Sequence, residues 1–250
     1  MTLTRREFLE RALAAAAVAT MRPSSAATSR FRAVVFDAFP IFDPRPIGTL
    51  AETLFPGKGA ELTAAWRTRQ FEYQWLRALS GNYADFRQTT DDALAFACES
   101  LGLSLDASKR APLMSAYVSL KAWPDVPDAL ATLKRAGLRL AFLSNMTHQM
   151  LDANIRSAGL DGLFDDVLST DQVKSYKPDP RAYRIATEAL GLAPREIAFI
   201  AFAGWDAAGA KTFGYPTFWL NRQEAPQERL GAGPDATGAS MSELVAFVQR

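Results

Sequence analysis

Short apolar runs alternate with amphipathic stretches over the C-terminal half of the chain, and this pattern predicts alternating strands and helices. Continuous apolar runs that end in polar residues are typical of strands buried on both faces of a sheet. The first predicted strand lies in the run Ala33–Phe39 and ends by presenting Asp37; the others are Leu138–Leu143, Asp166–Ser169, Ile197–Ala203 and Thr217–Leu220. The predicted helices are Asp128–Ala136, His148–Ala158, Pro180–Leu190, Asp206–Phe213 and a last one from Ser240 or Met241 to Val248. Such alternation predicts a parallel sheet with helices on both faces.

The segment between the first strand and the others has a different pattern. From about Gly48 to Ala122 the apolar residues fall at helical spacing, for example at Leu62 and Trp66, and no strand-like run interrupts them. We therefore predict an α/β fold in which an all-α cap is inserted into a Rossmann-like parallel sheet core. The predicted core comprises residues 28–46 and 123–250, and the predicted cap comprises residues 47–122.

Composition excludes several classes of function. A net charge of +1 gives no electrostatic reason to expect binding to nucleic acid or to a membrane surface. No apolar span in the body of the chain is long enough for a transmembrane helix. Cys98 is the one cysteine, so an intrachain disulfide and a multi-cysteine metal site are excluded. A Ser-His-Asp triad would depend entirely on His148, the one histidine.

The first 27 residues have the layout of an export signal. Arg5 and Arg6 precede an Ala-rich, mildly apolar stretch, and the small residues 25–27 offer a cleavage site. The arginine pair followed by Phe8 resembles a twin-arginine signal. The alternative is an amphipathic N-terminal helix. Export predicts a periplasmic protein, and an unused signal predicts a cytoplasmic one.

Polar side chains follow four of the apolar runs. Asp37 ends the first, and the others lead to Ser144 with Asn145, to Lys177, and to Trp205 with Asp206. Each of these residues could instead have an ordinary structural role. Either aspartate could cap a helix, Ser144 and Asn145 could form a turn, and Lys177 could be a surface cation. Because ligands of parallel sheets collect at the carboxyl ends of strands, their shared position favours one site. Lys177 beside Asp37 would keep that carboxyl ionised.

These segments, in this order and around this helical insert, resemble the haloacid dehalogenase superfamily and, more narrowly, the type II L-2-haloacid dehalogenases. The resemblance covers nearly the whole chain after residue 27. Its most specific parts are the cap run Trp66–Arg77, the run Lys177–Tyr183 and the run Trp205–Ala210. In relatives the cap helices also form a dimer interface, which implies a possible homodimer.

One position separates two chemistries within this superfamily. Its phosphatases carry a second aspartate two residues after the nucleophile, and the backbone carbonyl of that residue binds magnesium. This chain has Phe39 there, and Asp206 stands without the neighbouring acid that the phosphatases use for the metal. A halide leaving group needs no proton, so the loss of the acid fits carbon–halogen displacement without a metal or other cofactor.

The resemblance implies hydrolysis of short (S)-2-haloalkanoic acids to (R)-2-hydroxy acids. Asp37 would displace the halide and form an ester, which water then hydrolyses. Arg67 would receive the halide, Ser144 and Asn145 would contact the substrate carboxylate and the nucleophile, and Lys177 would fix the charge of Asp37. Tyr183, also expected at the substrate, and Asp206 would support Lys177 or the hydrolytic water. The expected apolar contacts to the substrate are Phe39, Phe71, Phe86 and Trp205, although each could be ordinary aromatic core.

The chain departs from the family pattern near the nucleophile. The loop after Asp37 is one residue shorter than usual and lacks the threonine of the family. Pro40 and Ile41 stand where a polar turn is expected. Ala201 and Ala203 stand where the family commonly has a serine and an asparagine. Two alternatives therefore remain open: a phosphatase or phosphonate hydrolase, and a scaffold that binds a small carboxylate without turnover.

Overall fold

The structure, a computed structural model, describes residues 30–250, and the predicted export signal lies outside the described residues. Within this range six parallel strands form one sheet in the order β3-β2-β1-β4-β5-β6. The strands are β1 Ala33–Phe36, β2 Arg139–Ser144, β3 Asp166–Ser169, β4 Ile197–Ala201, β5 Thr217–Leu220 and β6 Ala236–Gly238. The predicted α/β class with a Rossmann-like sheet is confirmed.

Strand β1 lies between β2 and β4, so the order of the strands along the chain reverses at β1. Ala33 pairs with Arg139 on one side and with Ile197 on the other. A crevice opens at the carboxyl end of the sheet where the order reverses, and this is where open α/β sheets bind ligands. The residue after β1 therefore stands at the most favourable place for a binding site.

Nine α-helices surround the sheet in the described range. The helices are α1 Arg45–Leu54, α2 Gly59–Ser80, α3 Phe86–Ser100, α4 Ala107–Ala116, α5 Val126–Arg135, α6 His148–Ala158, α7 Pro180–Leu190, α8 Gly204–Phe213 and α9 Met241–Val248. Helices α1 to α4 all lie between β1 and α5 in the chain. An antiparallel bridge joins Phe42 to Ala122 at the two ends of this helical segment. The exact division at residues 47 and 122 stays a prediction.

The sheet buries apolar side chains on both faces. Val34 and Phe36 pack on one side with residues of α5, α6 and α9, while Ala33 and Val35 pack on the other with residues of α7 and α8. Successive side chains of a strand point to opposite faces, so a strand covered on both sides has no polar positions. This is why the first strand reads as one uninterrupted apolar run.

The element boundaries follow the sequence pattern closely, with a few differences. Helix α8 begins two residues before the predicted start and includes Trp205, and β4 ends at Ala201. Strand β6 was not predicted, because Ala236-Thr237-Gly238 has no apolar run. Within residues 30–250, the helices are all too short or too polar to cross a bilayer.

Candidate active site

Asp37 lies at the carboxyl end of the central strand and is held by both backbone and side-chain contacts. Its backbone N–H donates to the Ile200 carbonyl at 2.9 Å, which continues the β1–β4 ladder by one residue. Its Oδ1 accepts a hydrogen bond from Lys177 Nζ at 2.8 Å. The side chain is 13% exposed and lines a cavity beneath the helical segment. One carboxylate oxygen is thus bound to an ammonium, while the other, Oδ2, accepts one long hydrogen bond from the Phe39 N–H at 3.4 Å.

Lys177 joins two carboxylates inside the protein. Its side chain is 1% exposed, and Nζ donates to Asp206 Oδ2 at 2.6 Å as well as to Asp37. Burial disfavours the charged ammonium, but the attraction of Asp206 and then of Asp37 outweighs it, so the pKa of Lys177 is raised. The lysine therefore remains a cation at neutral pH.

Asp206, in the first turn of α8, is held from two sides. Lys177 binds its Oδ2, and the Tyr183 hydroxyl donates to its Oδ1 at 2.7 Å. Burial is the largest effect on this carboxyl and raises its pKa to about 6, although Lys177 opposes the rise. Tyr183 is 0% exposed and does not line the cavity, so its geometry favours the expected support of Lys177, through Asp206, over the expected contact with substrate.

The cavity over Asp37 has a volume of about 180 Å³ and mainly aromatic walls. The four aromatic residues predicted to contact substrate all line it, namely Phe39, Phe71, Phe86 and Trp205. Trp66, Tyr117 and Phe202 line it as well and were not predicted. Phe71 packs edge-on against Trp205 with ring centroids 5.3 Å apart. The walls enclose a small, largely apolar space that two carboxylates, Asp37 and Asp206, also line.

Arg67, on helix α2, lines the same cavity as Asp37. Burial lowers the pKa of its guanidinium, while Tyr117 and then Asp37 raise it. Its Nη1 donates to Gln223 Oε1 at 3.3 Å. Across residues 30–250, no carboxylate lies within ion-pair distance of Arg67. A cation beside an apolar cavity, without an anionic partner of its own, is suited to bind an anion.

Ser144 and Asn145 follow β2 and line the cavity beside Asp37. Ser144 Oγ accepts from the Met146 N–H at 3.1 Å, which leaves its own hydroxyl proton for a ligand. The Asn145 side chain donates to Gln74 Oε1 at 2.8 Å, and its oxygen accepts from the Lys177 backbone N–H at 3.0 Å. Asn145 therefore orients the Lys177 segment, a role that the sequence did not suggest.

Helix α2 presents one face to the sheet edge. Arg67, Phe71, Gln74 and Trp75 follow helical spacing along this face. The Trp75 indole N–H donates to the Lys177 carbonyl at 3.1 Å, so the helix holds the backbone of the segment that carries the central lysine. The spacing also predicts Gln70 on this face, and that side chain lines the cavity. Gln223 had no comparable signal, because it lies in a loop without periodicity.

The donor set near Asp37 does not fit a divalent cation. The Phe39 carbonyl, at the position where phosphatases of the superfamily bind magnesium, accepts the Trp123 indole N–H at 3.0 Å. The Lys177 ammonium already fills the gap between the two carboxylates. Over the described part of the chain, no group of three His, Cys, Asp or Glu side chains is placed to hold a metal.

Comparison with known proteins gives consistent matches over most of the chain. A family model described as haloacid dehalogenase-like hydrolase matches residues 2–214. The (S)-2-haloacid dehalogenase of Pseudomonas sp. (strain YL) is 45% identical over 219 residues, which cover 87% of this chain and 94% of that protein.

Solved structures agree with the fold. The L-2-haloacid dehalogenase RSc1362 has a TM-score of 0.86 and 44% identity, covering 88% of this chain and 99% of its own. The enzyme of Xanthobacter autotrophicus with chloropropionic acid covalently bound has a TM-score of 0.80 and 37% identity, covering 88% and 98%. The chain therefore belongs to the haloacid dehalogenase-like hydrolases, and among them to the group of the L-2-haloacid dehalogenases.

Proposed function

We propose that the protein hydrolyses short (S)-2-haloalkanoic acids to (R)-2-hydroxy acids, with Asp37 as the nucleophile. The observation that carries this proposal is the Asp37 carboxylate, bound to Lys177, in an apolar cavity that Arg67 also lines. Such a cavity accepts a short alkyl group and offers a cation to an anion. The (S)-2-haloacid dehalogenases among the relatives support the same substrate class.

In the first step the Asp37 oxygen that is not bound to Lys177 attacks C2 of the substrate. The C–halogen bond breaks with its electron pair, the halide leaves toward Arg67, and an ester joins Asp37 to the inverted carbon. The Ser144 hydroxyl donates to the substrate carboxylate. No proton is transferred, which agrees with Phe39 at the position of the phosphatase acid.

In the second step water attacks the ester carbonyl carbon of Asp37. Lys177, bound to the carbonyl oxygen Oδ1, stabilises the negative charge that develops there. Asp206 accepts a proton from the water, the alcohol oxygen takes up a proton as it leaves, and Asp37 returns to its carboxylate. Each turnover releases one halide, one hydroxy acid and one net proton.

The test of this proposal is halide release from (S)-2-chloropropionate. Wild type should release chloride, and Asp37→Asn should release none, because an amide is a poor nucleophile. A single turnover in H₂¹⁸O should place ¹⁸O in the Asp37 carboxyl, since water attacks that carbon. Appearance of the label in the first-turnover hydroxy acid, with an unlabelled Asp37, would show direct attack of water on the substrate.

The same assay distinguishes the two alternative functions. A phosphatase or phosphonate hydrolase would depend on a metal, and the Trp123 indole N–H on the Phe39 carbonyl argues against it. EDTA should therefore leave chloride release unchanged. A non-catalytic scaffold, which the alanines at 201 and 203 would suit, should bind (S)-2-chloropropionate but release no chloride.

Two further properties belong to this proposal. The exposed side chains of Leu76, Leu79 and Phe96, on α2 and α3, favour a homodimer formed through these helices. Export by the twin-arginine route stays a prediction, because its residues lie outside the described range.

A further inference from the structure

Among the charged side chains of the cavity in residues 30–250, Arg67 is the one that forms no ion pair. Asp206 is paired with Lys177, and Arg45 forms a pair with Asp43 at 2.6 Å. Asp37 shares Lys177. Arg67 faces the cavity without a carboxylate in the described structure, and its one side-chain hydrogen bond there is to a neutral amide, Gln223. That contact spans 156 positions of sequence.

The segment that carries Gln223 follows β5 and is anchored firmly on both sides of this residue. The Asn221 side chain accepts from the Ala225 N–H and donates to the Ala225 carbonyl, both at 2.9 Å, and so closes a turn around Gln223. Glu224 within this turn has a φ of 50°, a left-handed conformation that non-glycine residues seldom adopt. The turn therefore has a defined shape and is not an open loop.

Arg222 anchors the turn to the core. Its two terminal nitrogens bind the Asp125 carboxylate at 2.7 and 3.1 Å, and its guanidinium lies 4.6 Å from the centroid of the Trp123 ring. The same indole donates to the Phe39 carbonyl behind Asp37. Gln223 is thus placed on a framework that is continuous with the nucleophile loop.

A neutral amide can orient a guanidinium without forming an ion pair with it. A carboxylate at this position would form an ion pair with Arg67 and compete with any anion in the cavity, whereas an apolar side chain would leave the guanidinium without a fixed direction. An amide oxygen accepts one N–H and leaves the positive charge and the other donors available.

From these contacts we infer that Gln223 is a positioning residue that holds Arg67 toward the cavity while leaving its guanidinium without an ion pair, and that it thereby sets the affinity of the site for halide. The inference rests on the proposed function, in which Arg67 receives the halide. It extends that function to a residue outside the segments through which the family resemblance was recognised.

The experiment titrates bromide into the resting protein at constant ionic strength and measures its dissociation constant by calorimetry. Three variants of nearly constant side-chain size are compared: Gln223→Glu, Gln223→Met and, as a matched control on the same loop, Gln227→Glu. We expect about tenfold weaker binding for Gln223→Glu and about threefold weaker binding for Gln223→Met, because charge pairing is a stronger competitor than lost orientation. Gln227→Glu should bind within about twofold of wild type, since it adds the same charge away from the cavity.

Steady-state kinetics test the role of Gln223 independently of the bromide titration. Gln223→Glu should raise KM for (S)-2-chloropropionate more than it lowers kcat, with an unchanged free energy of unfolding, because Gln223 is exposed and its loop is held by its neighbours. Equal bromide affinities of wild type and Gln223→Glu, or no bromide binding by wild type, would overturn the inference. Failure of wild type to release chloride would overturn the proposed function instead, and the bromide titration would still decide the role of Gln223.

Discussion

At the scale of single residues, the charge of the buried site depends on Lys177. Two carboxylates approach one ammonium, and all three side chains are largely removed from water. A buried ion pair contributes little net stability, but removal of one partner leaves an uncompensated charge in a medium of low polarity. Lys177 therefore stabilises the folded protein by supplying the counter-charge of both carboxylates.

Lys177→Met should lower the free energy of unfolding by about 3–5 kcal/mol, because both Asp37 and Asp206 would lose their counter-charge. The double variant Lys177→Met/Asp206→Asn should recover part of this loss and remain inactive. As a control, Lys134→Met removes an exposed partner of Asp165 and should cost at most about 1 kcal/mol. Urea denaturation is the measurement, and equal losses for the two lysine variants would contradict the assigned role.

Activity should rise with pH through about 6, because Asp206 must be ionised to accept a proton from water and burial raises its pKa to about 6. The same shift acts on stability in the opposite direction. The folded protein holds this proton more tightly than the unfolded chain does, so the stability gained below pH 3.8 is lost as pH rises through about 6.

Chloride release measured from about pH 5 to pH 8 tests this expectation. Wild type should show the acidic limb, and Asp206→Asn should lose it together with most of its activity. A wild-type rate that does not vary over this range would exclude Asp206 as the base.

The sequence allows some of these residues to be found and hides others. Asp37 and Asp206 could be predicted because each follows an apolar strand. The pattern that predicts the strands therefore also predicts these two site residues. The role of Tyr183 is harder to predict, because only the packing of α7 against α8 decides whether its hydroxyl meets the ligand or Asp206. Gln223 could not be predicted, since its position depends on a turn shape and on contacts far away in sequence.

At the scale of elements, α7 and α8 pack closely enough to set the position of Asp206. Gly209 in α8 allows this contact, because a β-carbon there would lie 2.5 Å from Tyr183 Oη and 2.7 Å from Pro178 Cβ. The distance between the helices thus determines whether the tyrosine hydroxyl reaches the carboxylate.

Gly209→Ala should lower the free energy of unfolding by about 1–3 kcal/mol and reduce chloride release, since the added methyl displaces Tyr183 from Asp206. Gly48→Ala in α1 is the control for stability, because a β-carbon there meets its nearest atoms at 3.8 Å. It should stabilise the helix by about 0.5–1 kcal/mol. Thermal denaturation compares the two, and a stabilised Gly209→Ala would show that α8 moves freely relative to α7.

The helices could be predicted from the helical spacing of their apolar residues, but the edge strand of the sheet could not be predicted from its sequence. The face of α2 that covers the site follows from the positions of Arg67 and Phe71 alone. Strand β6 lacked a signal because an edge strand of three residues needs little apolar surface, and its Ala, Thr and Gly are equally suited to a loop.

At the scale of the whole molecule, the outer side of α2 and α3 exposes apolar side chains. Leu79 is 86% exposed and Leu76 is 58% exposed. The variant Leu76→Glu/Leu79→Glu should sediment as a monomer if these helices form the proposed dimer interface, because the added charges would face each other across it. Leu230→Glu, which is equally exposed but lies in the loop after β5, should keep the wild-type mass. Wild type that sediments as a monomer would contradict the proposed dimer.

The order of the strands in the sheet and the shape of the cavity could not be predicted from the sequence pattern. Alternating strands and helices predict a parallel sheet, but they do not say which strand is central. The cavity needs two parts of the chain, the face of α2 and the sheet edge at Asp37, to meet at a set distance. That distance depends on the packing of side chains such as Phe71 against Trp205, which no periodicity encodes.

The bridge between Phe42 and Ala122 has a consequence for how such proteins diversify. The Asp43 N–H donates to the Lys121 carbonyl and the Trp123 N–H to the Ile41 carbonyl, so the chain leaves the sheet and returns to it along two paired segments. A change of length on the outer side of the helical segment should therefore leave the backbone at Asp37 in place. The inner face of α2 has no such freedom, because Trp75 holds the Lys177 backbone and Arg67 lines the cavity. Two-point attachment thus separates a part of the cap that tolerates insertion from a part that the reactive centre fixes.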